Sequence, residues 1–136
     1  MDLEKEKREA IEAGNKAMNS LRLAQSELEK ASGWGIFDML GGGLLSTAIK
    51  HDKMYNAQKY MEEAKYNLQN FSRELSDVNM ICNLNLELGD FINFADWFFD
   101  GFIADWLVQS RISEARNQVE KAMMLIGDVL RRLENL

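Results

Sequence analysis

Residues 10–28 read AIEAGNKAMNSLRLAQSEL, and the fold turns on how that stretch is spaced. Ala10, Gly14, Ala17, Leu21, Ala24 and Leu28 follow one another in alternating steps of four and three residues. An α-helix turns every 3.6 residues, so this alternation puts all of them on one face. The same stepping returns at Ala57, Met61, Ala64, Leu68, Phe71 and Leu75, and again at Ala115, Val119, Ala122, Ile126, Val129 and Leu133. The second stripe superposes on the first at an offset of 47 residues and the third on the second at 58, with alanine at the first and third places of every copy. Small residues let helix backbones approach closely, while the larger apolar residues fill the space between. The pattern predicts an all-α fold, an elongated antiparallel bundle of three long helices. The first would run from about Asp2 to Ala31, stopped by Ser32-Gly33; the second from Leu44 to about Ser76; the third would end near Leu136. At 1.5 Å rise per residue the first helix would be about 45 Å long.

Composition agrees with that reading. A chain of 136 residues fits one domain, residues 1–136, around a single core. It has no proline and nine glycines, so few breaks are enforced on its helices. The start MDLEKEKREAIEA mixes acids and bases where a secretory leader would carry a basic and then an apolar region, so no signal peptide is expected. Phe91 to Val108 is the most apolar stretch, but Asn93, Asp96, Asp100 and Asp105 interrupt it, short of the roughly 18 uninterrupted apolar residues of a membrane span. The single cysteine, Cys82, can form no internal disulfide and anchor no cysteine-based zinc site; it reads as a small buried hydrophobe in a reducing, cytoplasmic protein.

The net charge of −6 is unevenly placed. Residues 1–31 carry seven acids and six bases, 32–76 five and five, and 109–136 four and five, whereas 77–108 carry six acids and no base. Nucleic acid needs clustered Lys and Arg to displace counterions, and no basic stripe exists, so it is not an expected partner.

The 58-residue offset reaches upstream of the stripes, pairing Asp38 with Asp96, Gly43 with Gly101, Lys53 with Arg111 and Glu62 with Glu120. It suggests an internal duplication of a short aromatic element with Asp, a glycine hinge and a long amphipathic helix. Between the copies, DVNMICNLNLELGD (77–90) alternates Cys82, Leu84, Leu86 and Leu88 with polar residues. A lone strand would have no ladder partner, so the segment is expected to be an irregular, partly buried connector, with Gly89-Asp90 turning into a helix N-cap.

Three features could carry function. Gly41–Gly43 precede a helix, and the free N–H groups of a helix N-terminus bind anions. No Lys follows the last glycine as a nucleotide P-loop requires, so a corner between helices is the better reading, with an anion site at Gly42, Gly43, Lys50 and His51 the alternative. His51 is the only histidine and belongs to no metal-binding or catalytic spacing, which favours a polar residue fixing the bundle end. The third feature is FINFADWFFDGFIADWLV (91–108), where Phe91, Phe94, Trp97, Phe98, Phe99, Phe102 and Trp106 surround a narrow polar stripe of Asn93, Asp96 and Asp100. A surface helix needs only about a 100° apolar arc, so something beyond one neighbouring helix must cover this tract. Its own bundle end, broken at Gly101, or another protein could do so, including a second copy in a homodimer. Acidic neighbours repel anionic lipid, so a membrane is not the expected cover.

Gly33-Trp34-Gly35, Asp38, Gly41-Gly42-Gly43 and Lys50-His51, followed by a helix with Ala57, resemble a signature of uncharacterised bacterial helical proteins in which these elements join two long helices. The resemblance covers about a third of the chain. It implies a helical fold and a bacterial, cytoplasmic protein, and no activity. With no paired acid and base, no activated nucleophile and no ligand cluster, the sequence points to a non-enzymatic bundle without cofactor or metal that works by self-association or protein–protein interaction.

Overall fold

The computed structural model describes the backbone of residues 2–39, 44–82, 85–102, 105 and 112–136, and the side chains of 2–30, 55–82, 89, 91–98, 101–102, 105 and 113–136. These residues form α1 (Leu3–Met39), α2 (Leu44–Cys82), α3 (Asn85–Trp97), a π-helical turn (Phe98–Phe102) and α4 (Ile112–Glu134). The fold is all-helical, with no strand among the described residues. No helix among them is long and apolar enough to cross a membrane.

α1 begins at a side-chain cap. The Asp2 carboxylate accepts a hydrogen bond from the Glu4 N–H at 3.1 Å, and Glu4 and Glu6 place negative charge at the positive end of the helix dipole. α4 mirrors this arrangement, with Glu114 in its first turn and Arg131 and Arg132 in its last, both paired to Asp128.

Gly14 fixes the level at which three helices meet. A Cβ built there would lie 2.7 Å from Leu130 Cδ2 of α4 and 2.9 Å from Phe71 Cε1 of α2. Six residues further along α1, the Ser20 hydroxyl accepts a hydrogen bond from Asn67 Nδ2 at 2.6 Å. Moving forward along α1 therefore moves backward along α2, from Phe71 to Asn67. Met18 likewise reaches Gly127, where Gly14 reaches Leu130, so α4 also runs opposite to α1.

The stripes explain why that register holds. Steps of 4-3-4-3-4 read the same in either direction, so reversed helices stay level along the whole seam. Ala10 stands level with Leu75 and Leu133, Ala17 with Leu68 and Ile126, Leu21 with Ala64 and Ala122, and Leu28 with Ala57 and Ala115. Each level mixes small and large residues, the complementarity a close-packed interior requires. Every stripe residue is buried, and each buried Leu, Ile or Phe contributes about 1.5–3 kcal/mol. The 58-residue offset thus relates residues of α2 and α4 that share one level of α1. The matched Asp38 and Asp96 each stand one residue before the end of a helix, α1 and α3 respectively.

The helix boundaries differ from those expected. Ser32-Gly33 does not stop α1, which continues to Met39. A glycine inside a helix costs about 1 kcal/mol against alanine, far less than the roughly 3 of a proline, and a long helix absorbs it. The expected irregular connector is also mostly helix. α2 carries its stripe onward from Leu75 to buried Val78 and half-buried Cys82, whose Sγ donates to the Val78 carbonyl one turn back. Gly89 and Asp90 lie inside α3 rather than at its cap. Gly101 sits inside the π turn, which runs to Phe102. Gly41–Gly43, the expected corner, lie outside the described residues.

Candidate functional site

The aromatic tract begins in the core and ends at the surface. Phe91, on α3, meets Phe71 of α2 edge-on with ring centroids 5.4 Å apart, which ties α3 to the level of Gly14. Phe94, Phe98 and Phe102 follow at intervals of four, with successive centroids 5.5 and 5.6 Å apart, and all are buried. Such offset and edge-on pairs each add about 0.5–1.5 kcal/mol beyond the area they bury.

Trp97 is the exception. Its indole stacks on Phe102 at 5.2 Å and touches Phe94 at 5.9 Å, yet the residue remains 46% exposed. Trp97 and Phe102 are five residues apart, a spacing that an α-helix would splay by about 140°. The π turn closes hydrogen bonds between residues five apart and brings the two rings together. One indole face is thus held by Phe102, and Trp97 helps to line a groove of about 450 Å³ with Asn93, Phe94, Lys121 and Leu125. Lys121 lies over the Phe94 ring at 5.4 Å and covers part of the tract from the α4 side. Asn93, which lines the same groove, is exposed, as are Asp96, the residue before Trp97, and Asp105 beyond the π turn, and Ile92 is a further exposed apolar side chain.

The residues proposed from sequence therefore divide. Phe91, Phe94, Phe98 and Phe102 are covered by their own chain, and Trp97 is presented outward. Phe99 lies in the π turn with its side chain outside the described residues, and Trp106 lies outside them altogether. Of the anion-site alternative, Gly42 and Gly43 fall outside the described residues; Lys50 and His51 are helical residues of α2 whose side chains are also outside them.

A second cluster had no sequence signal. Glu6 and Glu9 of α1 and Glu74 of α2 bring three carboxylates to within 4.8 Å of one another, beside a hollow that also includes Glu12, Lys16 and Asn67. Burial, then the negative charges of Glu9, Asp77 and Glu6, push the Glu74 carboxyl above its ordinary range, and Arg73 opposes the shift. Glu74 Oε2 is shielded from solvent and accepts no hydrogen bond. Oxygen donors in this arrangement suit a hard divalent cation in principle, while without one they store repulsion between α1 and α2.

The π turn and Lys121 were likewise missed. The hydrogen-bond register of a π turn leaves no residue pattern, though a glycine within an aromatic run, Gly101 here, is the nearest available hint. Set against known proteins, the chain matches no family model, no curated protein and no solved structure.

Proposed function

We propose that this chain acts without catalysis, as an elongated three-helix bundle that engages another protein surface, a second copy or a different chain, through the end of α3 and the π turn. The observation that carries this reading is Trp97: a large aromatic left 46% exposed and held in a fixed pose by Phe102, while every neighbouring phenylalanine whose side chain is described is buried. Tryptophan is enriched among residues that dominate binding energy, and an indole already stacked in place loses little conformational freedom on association. π turns also recur at functional sites. A bacterial, cytoplasmic setting, implied by the Trp-Gly to Lys-His signature, belongs to the same proposal.

Size exclusion with light scattering, run from micromolar to millimolar protein, tests the self-association form. A dimer that dissociates on dilution and is lost in Trp97→Ala supports it. A monomer throughout, with a Trp97 indole NMR signal that does not move with concentration, removes it and leaves the heterologous form to the titration described next.

A further inference from the structure

The charge around Trp97 selects between the two kinds of partner. Of the six acids in residues 77–108, Asp96 and Asp105 are the ones of the aromatic tract whose side chains the structure describes. Asp96 precedes Trp97 directly, and Asp96 and Asp105 are exposed. In a two-fold dimer both copies bring the same surface, so Asp96 and Asp105 of each copy would enter the interface with Lys121 the one cation of the described groove lining to offset them. Like charges in that position oppose docking and suppress the partner that carries them. Lys121 from α4 lines the groove and is already placed over the Phe94 ring. The free side of the Trp97 indole is therefore an aromatic face beside acidic groups, the setting in which a guanidinium stacks and pairs at once.

Resting on the interaction reading above, we propose that the surface formed by Trp97, Asn93 and Asp96 binds a cationic amphipathic segment of another protein, with an arginine stacked on the Trp97 indole and paired to the Asp96 carboxylate. The apolar side of that segment lies along the groove of Phe94 and Leu125. Stacking on Phe102 fixes the indole where it lines the groove, so the site exists before the partner arrives.

The test uses the full chain and three synthetic amphipathic helices of about 18 residues that share one apolar face and carry arginine, lysine or glutamate on the other. Binding is followed by the fluorescence anisotropy of dye-labelled helices at low and at physiological salt, in the native chain and in Trp97→Ala, Trp97→Phe and Asp96→Asn, with the Trp97 indole NMR signal as a second readout in the native chain and Asp96→Asn. Asp96 is exposed, so its variant keeps the fold and serves if Trp97→Ala does not. The arginine helix is expected to bind most tightly, to lose about tenfold in affinity in Trp97→Ala and in Asp96→Asn, and to weaken as salt rises. Equal binding of the glutamate helix overturns the cationic partner while leaving an interaction surface in place. A Trp97-dependent dimer that binds none of the helices does the same in favour of a second copy. No binding by any helix to a strict monomer overturns both the partner and the interaction reading.

Discussion

The seam between α1 and its two neighbours and the aromatic segment beyond it bury apolar groups by different rules. Along the seam, Ala10, Gly14, Ala17 and Ala24 let α2 and α4 come close, and each level sets small residues against large ones in a strict alternation. Charges there are mixed in sign. In the aromatic segment the helical register changes from α to π, large rings stack on one another, the charge has one sign, and among the described rings Trp97 is left outside. Regularity accompanies full burial, and the departure from it coincides with the one tryptophan side chain the structure describes, which is exposed. The seam holds the molecule together, and the irregular end gives it something to present.

Phe71 belongs to both regions, since it packs on Gly14 and on Phe91, and its loss should be the costliest single change. Phe71→Ala is expected to lower stability by about 3–5 kcal/mol, read as a drop in the urea midpoint. A loss below about 1 kcal/mol would mean that the seam and the aromatic segment do not share a core.

A pair of glycines sharpens the role of close approach. Gly14→Ala puts a methyl group within 2.7 Å of Leu130 and 2.9 Å of Phe71, whereas the same change at Gly127 meets nothing nearer than 3.8 Å. Overpacking of about 1–3 kcal/mol outweighs the helix-propensity gain of roughly 1 kcal/mol at Gly14, while Gly127→Ala keeps the gain alone. Opposite signs in thermal melts are the expected result. If both variants are stabilised, Leu130 and Phe71 move aside at little cost and the seam is looser than described.

Glu74 gives a smaller effect with a defined pH dependence. Its carboxyl is shifted upward in the folded chain, so the folded state binds that proton more tightly than the unfolded one. The group's contribution is therefore most favourable at pH below its unfolded value and declines as pH rises through the folded value. Glu74→Gln should stabilise the chain at neutral pH and have no stabilising effect in acid, where Glu74 is already protonated. Equal melting shifts at both pH values would remove the carboxylate cluster as the cause.

Much of this was legible in the residues themselves, for a physical reason. Helical periodicity is a local signal, and the eventual neighbours of Ala17 or Leu68 do not need to be known for the stripe to be seen. Helix ends were harder. Ser32-Gly33 looks like a stop only if the cost of one glycine is set above the gain from extending a packed helix. The alternation of Cys82, Leu84, Leu86 and Leu88 hid a stripe that simply continued through Val78. The π turn, the stacking of Trp97 on Phe102, and the meeting of Glu74 with Glu6 and Glu9 all depend on tertiary register, and adjacent residues do not encode them.

Trp97→Ala makes the smallest demand on stability and the largest on function, and it tests the division between the two regions most directly. The measurement pairs its urea midpoint with its titration by the arginine-bearing amphipathic helix, each against the native chain. The account predicts a midpoint shift well below that of Phe71→Ala together with about tenfold weaker binding. A midpoint that falls as far as in Phe71→Ala, with binding of the helix unchanged, would contradict it: Trp97 would then be part of what holds the bundle together and not part of what it presents.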